Sequence, residues 1–488
     1  MEKTQPKRRF PEKFKPDHSS LAAGRYGTLE MCDVWGPEKT FDYSLHVQGD
    51  SAMILSDLHP DIIPSTEAQE IYAKASLDSV DPNRIRDLEE QKGHDVIAIN
   101  TALEEILSPP AKIHNNKLKT STDTTQPARA LQLKKSIEII ADSVENLRDI
   151  TLEKALEWID TPHMDTTHLY DALPTVAGRP FAHYAEMLQS GLHVLGFFYK
   201  NSIIGKWGDA TGNHHQATDY GVDGMQLQET FCKELGIGWM DAAAQLPGLE
   251  FEADIVYGIT RIGMTVNNLA KYIASGFGND MELFFDNNPK RRKGSSAMPH
   301  KDAKGGNRTT EEQDVSMANK LMGWMTTALA NCDMPYARTL YASANARIDF
   351  EDNFKFADHS IRNLSNVVYY LGLNDERALE RVLRTRGIVT SSRVMAYLTD
   401  QRRTNDPMSR KQAHDLLGQL ATQSYTEQQP FIDVLLADEE ITRRIDEPTL
   451  RTLSDPLTYI GQSKEIIKTV YQKYHGKKTL IQFSEGSQ

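Results

Sequence analysis

The sequence predicts an all-α protein, with three helical domains arranged around a central bundle of long helices. Apolar residues recur at spacings of three and four over stretches of about twenty residues or more, the signature of amphipathic helices. Strand signals are few, and no period of 20–50 residues marks a repeat array. The connections gather at the ends of the long segments, as in an elongated bundle, and 488 residues are enough for two or three domains.

In chain order, residues 1–20 are polar and basic, carry Pro6, Pro11 and Pro16, and lack the apolar core of a signal peptide, so they are expected to form a disordered tail. Residues 21–117 form the expected N-terminal helical domain. Its periodic stretches are Glu38–Leu58 and Ile85–Leu107, the second carrying Leu88, Val96, Ile99, Leu103 and Ile106 before Pro109-Pro110 closes it. The central bundle is expected over 118–373. Its segments are Leu131–Trp158, Phe181–Ile204, Glu252–Phe277 and Glu311–Leu329. Residues 374–474, interrupted by Gly387, Pro407, Pro430, Pro448 and Pro456, form the expected C-terminal helical domain, and 475–488 read as a loose tail.

Composition narrows the function. A net charge of −13 argues against general nucleic-acid binding, and no apolar run reaches the length of a membrane span. Cys32, Cys232 and Cys332 lie far apart with no CxxC pair, which fits a reducing compartment; the expected location is the cytosol. His163, His168, His183, His214 and His215 include no HExxH pattern and no i, i+4 pair, so no metal site is expected. Gly208–Asn213 lacks the strand–loop–helix context and GK[ST] of a phosphate-binding loop.

One stretch departs from the acidic whole. Residues 286–308 carry seven Lys and Arg against two Asp, with Gly294, Gly305, Gly306, Pro289 and Pro299 breaking any helix and Ser295-Ser296 between the basic groups. A cationic, serine-bearing loop between helices suits a lid over an anionic substrate. Leu118–Thr125 is a hydroxyl-rich connector whose Thr and Ser can cap a helix, leaving backbone N–H groups for an anion. His168 lies in a connection between long helices, grouped with Pro174, Thr175 and Gly178, and a histidine so placed suits proton transfer near neutral pH. Arg338, Ser343 and Arg347 supply two guanidiniums and a hydroxyl, groups that suit a phosphate.

Gly294-Ser-Ser-Ala-Met-Pro-His-Lys301 closely resembles the GSSxMPxK signature of the fumarase/aspartase superfamily, and Met298-Pro-His-Lys301 resembles its adenylosuccinate lyase family in particular. The resemblance runs over nearly all of residues 24–470. Arg25-Tyr26 with Glu30-Met31 is similar to the family's RYxxxEM, His94-Asp95-Val96 to HDV, Thr120-Ser-Thr-Asp123 to TSSD, and Thr167–Gly178 to THxxxAxPTTxG. Gln245 sits where the family has a substrate-binding glutamine. Arg338, Ser343 and Arg347 match its R-x4-S-x3-R, and Ser409–His414 and Asp455–Gly461 resemble its C-terminal domain.

The resemblance implies β-elimination of fumarate from a succinylated purine nucleotide, with no metal or organic cofactor. Ser295 would be the base, Lys301 the charge stabiliser and His168 the general acid. His94, Thr120 and Ser121 would hold the succinyl carboxylates or the adjacent phosphate, and Asp95 would belong to the substrate-binding set beside them. Gln245 would orient the substrate, and Arg25, Tyr26, Arg338, Ser343 and Arg347 would grip ribose and phosphate. Ser296, Met298 and Asn307 would complete the loop's contacts. A homotetramer sharing a helical core, with each site built from several subunits, is implied too, without nucleic-acid or membrane partners. The family's KxNP is interrupted: Asp302–Gly306 intervene before Asn307, and Arg308 takes the place of proline. Two other readings stay open from the residues alone: a superfamily lyase acting on another succinylated amine, and a non-catalytic helical scaffold.

Overall fold

The computed structural model describes residues 24–480 except 37, 291–294, 305 and 337. The expected tail 1–20, residues 291–293 of the basic run, and 481–488 lie outside the described residues. Among the described residues the architecture is helical, with six helices of 20 residues or more: α1 (Lys39–Leu58), α2 (Thr122–Glu157), α3 (Arg179–Asn201), α4 (Glu250–Gly276), α5 (Thr309–Asn331) and α6 (Ser343–Tyr370). No described helix is long and apolar enough to cross a membrane.

The 36-residue α2 is the axis. Ile137, Ile139, Ile140 and Ala141 are all buried, so it is apolar on more than one face, as a helix enclosed by others must be. Helices α1, α3 and α6 pack on it, α4 lies against α3 and α5, and α5 lies against α6. The core clusters follow the chain. The main one runs from Met31 to Ala378 with Ile467, a second joins residues between Leu45 and Ala111, and a third joins residues between Val394 and Leu453.

The bundle has two distinct ends. At one, α2 gives way to a hairpin of β1 (Pro162–Thr167) and β2 (Tyr170–Val176), and the ring of Trp158 meets Phe181 and Phe284 at 5.0 and 6.0 Å. Gly178 starts α3 so close to α2 that a Cβ there would stand 2.0 Å from the Ala155 carbonyl oxygen, which only glycine allows. At the other end, Ser202 donates to Asp254 at 3.0 Å and Arg129 pairs with Glu252 at 3.4 Å. A two-residue parallel pair, β3 (Ile204–Gly205) with β4 (Gly238–Trp239), lies beyond it. At the hairpin end β5 (Phe284–Asp286) pairs antiparallel with β6 (Leu371–Leu373).

The connection that carries His168 between α2 and α3 is the β1–β2 hairpin, its strands held by the ladder from Pro162↔Val176 to Thr167↔Tyr170. Two expectations need correction. Ile85–Leu107 is two helices, Pro82–Lys92 and Asp95–Ile106, because Gly93 (φ +66°) ends the first and extended His94 starts the second. The expected loose tail is not loose over residues 475–480. There the buried Arg148 guanidinium donates to the Lys477 carbonyl at 2.7 Å, the Thr479 N–H donates to Glu145 at 2.6 Å, and Lys478 pairs with Asp142 and Glu145 at 2.9 Å.

Candidate active site

The first group of candidate residues gathers at the end of the bundle away from the hairpin. The α2 N-terminus is held by Asp123, whose buried carboxylate accepts from the N–H groups of Thr120 (2.9 Å), Gly208 (3.0 Å) and Asp209 (3.1 Å) and from Lys206 Nζ (2.5 Å). Asp123 and Lys206 are both 0 % exposed. This anchor fixes the backbone of Thr120 and Ser121, and Ser121 Oγ lies 3.5 Å from His94 Nε2. The His94 ring is 3.3 Å from Asp95, and Asp95 accepts from Arg347 at 3.1 Å. Arg338 donates to Gln245 at 3.3 Å, while its buried Nε has no partner.

Burial lowers the pKa of Arg338, Arg129 and Arg347 lower it further, and Asp95 opposes them, so these four charges share one field. Three guanidiniums stand there beside the N-termini of two long helices, α2 and α6, the latter beginning at Ser343. Unsatisfied N–H groups and the positive dipole ends add to the arginines, and the combination favours a multiply charged anion.

The second group is at the hairpin end. Ser295 Oγ accepts from the N–H groups of Ala297 (3.3 Å) and Met298 (3.0 Å). Pro299–Lys304 forms a single 3-10 helix. The Lys301 N–H donates to the Met298 carbonyl at 3.1 Å, and the Gly306 N–H donates to the Lys301 carbonyl at 2.8 Å, which draws Gly306 back to Lys301. Lys301 Nζ therefore still reaches Asn307 Oδ1 at 3.0 Å. Ser296, Met298 and Asn307 are exposed. His168 occupies the tip of the β1–β2 hairpin at φ +51°, followed by Leu169 at φ +70°, and Leu169 is 97 % exposed. Two consecutive non-glycine residues in the left-handed region are costly, and such strain concentrates at functional sites. His168 itself is exposed.

A third position lies between these ends. The ring of Tyr26 sits edge-on to Phe356 and His359, midway along α6, and exposed Arg25 precedes it. One chain thus brings together His94, Asp95, Thr120, Ser121, Gln245, Arg338, Ser343 and Arg347, and separately Ser295, Ser296, Met298, Lys301 and Asn307. It does not bring the two groups to each other: the 23-residue α5 between them spans about 35 Å at 1.5 Å per residue.

Arg129, Asp123 and Lys206 belong to the first group and were not singled out from the sequence. Asp123 closes the Thr120–Asp123 motif and was the readable one, whereas Lys206 and Arg129 are brought in only by the fold. Among the described residues no three His, Cys, Asp or Glu side chains converge as ligands for a metal ion.

Residues 38–303 match the family described as "Lyase", and residues 387–470 match the one described as "Adenylosuccinate lyase C-terminus". An adenylosuccinate lyase of Methanocaldococcus jannaschii is 30 % identical over 455 residues, covering 93 % of this chain and 96 % of its own. The chain belongs to the adenylosuccinate lyase family. Adenylosuccinate lyases of Pyrococcus horikoshii (25 % identical, 92 % of this chain and 96 % of its own) and Bacillus subtilis (28 % identical, 86 % and 93 %) extend the relationship. The fold is shared more widely. A fumarate lyase from Mesorhizobium superposes with a TM-score of 0.78 at 19 % identity, covering 93 % of this chain and 99 % of its own.

Proposed function

We propose that the protein is a carbon–nitrogen lyase that releases fumarate from adenylosuccinate to give AMP, and from the succinylaminoimidazole-carboxamide ribotide in purine synthesis. The observation that carries this reading is the convergence of Arg129, Arg338 and Arg347 with Ser121, His94 and Gln245 between the N-termini of α2 and α6. A nucleoside monophosphate bearing two carboxylates needs such a set, and the convergence favours it over a succinylated amine without phosphate.

In the reaction Ser295 Oγ takes the C–H proton beside a succinyl carboxylate, the electron pair forms the carbon–carbon double bond of fumarate, and the C–N bond breaks. His168 gives a proton to the departing nitrogen. Lys301 stabilises the charge that builds on the carboxylate. A serine is a weak base in water, and its Oγ now accepts two backbone N–H bonds, so the loop must close and exclude water before Ser295 acts. No step requires a metal or organic cofactor.

A single chain holds the anion-binding groups and the proton-transfer groups at opposite ends of its bundle, which supports assembly of copies. In a homotetramer with neighbouring bundles antiparallel, the hairpin end of one subunit meets the arginine end of another. The separate cores support domain limits of 21–117, 118–373 and 374–474, with the last helix, Ser463–Tyr474, packing back on the bundle. Three free cysteines support a cytosolic location.

Purified protein mixed with adenylosuccinate tests the reaction through fumarate release and the ultraviolet change of the purine; absence of turnover refutes it. Mixing inactive Ser295→Ala and Arg338→Ala chains tests the sharing: random assembly is expected to restore about a quarter of the sites. No recovery would mean that one chain supplies both groups.

A further inference from the structure

Residues 286–308 leave the bundle from one root and return at another, and the two are held differently. The leaving root is fixed by the β5–β6 ladder and by the Asn287 N–H, which donates to the Tyr370 carbonyl at 2.9 Å. The returning root opens α5 with Arg308 at the N-cap position, where it makes no side-chain capping bond to the helix. Proline, which fixes φ by its ring, stands there in the resembling signature.

The Arg308 side chain takes over that duty by other means. Its Nη1 lies 3.5 Å from Asp286 on β5, and its Nε donates to Glu311 in the first turn of α5 at 3.0 Å. A second nitrogen, Nη2, also bonds Glu311, and the guanidinium carbon lies 3.7 Å from the ring centroid of Phe277, just past the C-terminal end of α4. The group is 15 % exposed and Glu311 only 1 %, so the pair is shielded from the screening that makes surface ion pairs weak. One turn on, Asp314 is fully buried; burial first, and then the charge of Glu311, raise its pKa, with the Asn363 side chain opposing. Arg308 is thus the positive charge that pairs with a buried carboxylate, which in turn neighbours a second.

We propose that Arg308 is a positioning residue: by clasping β5, α4 and α5 it joins the two roots of the 286–308 loop and sets where Ser295 and Lys301 stand when the loop closes. The clasp matters here because the 302–306 insertion adds chain between Lys301 and the returning root. The compact turn that brings Asn307 back to Lys301 ends directly at Arg308. The inference rests on the reading of Ser295 and Lys301 as the proton-transfer and charge-stabilising groups.

The test compares the assembled full-length protein with Arg308→Ala, Arg308→Lys and Arg308→Ala/Glu311→Gln. Turnover of adenylosuccinate, thermal midpoint and the rate of tryptic cleavage between residues 290 and 304 are measured for each. Arg308→Ala is expected to lower kcat about ten- to a hundredfold, the cost of a misplacement of about 1 Å, while KM changes less than about threefold because the anion-binding groups lie at the other end of the bundle. Arg308→Lys recovers part of kcat. Adding Glu311→Gln relieves the unpaired buried carboxylate and restores the thermal midpoint but not kcat. Two results would overturn the clasp: a kcat for Arg308→Ala within about twofold of the parent, or a double variant that regains kcat along with stability, as a merely structural ion pair would. If the parent itself lacks turnover, the proposed reaction fails. The cleavage rate then decides the clasp alone, faster cutting in Arg308→Ala supporting it and equal cutting refuting it.

Discussion

Asp123→Asn isolates the anchor beneath the arginine end of the bundle. The carboxylate accepts four hydrogen bonds, from Lys206 Nζ and from the N–H groups of Thr120, Gly208 and Asp209, and neither it nor Lys206 is exposed to water. An asparagine has the same shape, but it removes the negative charge and turns an N–H2 group toward donors. The amide oxygen can face only one pair of the donors, and the buried ammonium loses its counter-charge, left with neutral acceptors such as the Asp209 carbonyl at 2.9 Å. Removing one partner of a buried ion pair costs about 3–5 kcal/mol, and a backbone N–H left without an acceptor costs about 1–3 kcal/mol. A loss of about 4 kcal/mol is therefore expected. It is read by urea unfolding of parent and variant at equal protein concentration, since assembly makes midpoints concentration-dependent. Because Thr120 and Ser121 lose their fixed backbone, KM for adenylosuccinate rises in the same variant. A loss below about 1 kcal/mol would refute the view that this ion pair organises the α2 N-terminus.

Other substitutions test other elements. Ser295→Ala and His168→Gln are each expected to abolish turnover without changing the oligomer seen by size-exclusion chromatography; near-normal rates in either would remove that residue from the mechanism. Gly178→Ala places a Cβ 2.0 Å from the Ala155 carbonyl oxygen, so α3 must shift and stability falls by about 2–3 kcal/mol, read as a lowered unfolding midpoint; an unchanged midpoint would show that the contact yields freely. Burial pushes the Lys119 amine down to about 7 from 10.5, against the pull of Asp123 and Asp50. Between those pH values the unfolded chain binds more protons than the folded one. The cost of burying the charge is thus fully present below about pH 7 and fades as pH rises toward 10.5, an effect of at most about 5 kcal/mol. Lys119→Met should flatten that rise in urea midpoints measured from pH 6.5 to 9.5; an equal slope in both proteins would refute it.

The long helices were legible because each buries an apolar stripe many turns long, and neighbouring turns repeat the same signal. The β1–β2 hairpin was not. Its strands are short, Pro162 and Pro174 weaken any strand signal, and its turn is His168-Leu169 in place of the Asn-Gly or Asp-Gly that marks such turns. The residue that makes this hairpin hard to read is His168, the one to which the proposed mechanism gives the acid role, as expected where local preference yields to function. The anion-binding groups could be named one by one from their motifs. Their convergence could not, since Asp95 and Arg347 lie 252 positions apart. The insertion at 302–306 looked disruptive in one dimension, yet a closed turn absorbs it and keeps Lys301 beside Asn307.

The segment 475–480 ties the order of synthesis to the completion of the fold. Arg148 and Glu145 are made in the first third of the chain, on the helix that forms the axis, yet Arg148 also bonds the Lys477 carbonyl and Glu145 bonds Lys478 and Thr479. A nascent chain can form α2 early and pair Arg148 with Asp149 and Gln189, but Glu145 meets Lys478 and Thr479 only once those residues have been made. Without residues 478 and 479 the central helix carries a carboxylate stripped of both its partners. Residues 477–479 thus seal a charge that the central helix set in place more than 300 positions earlier.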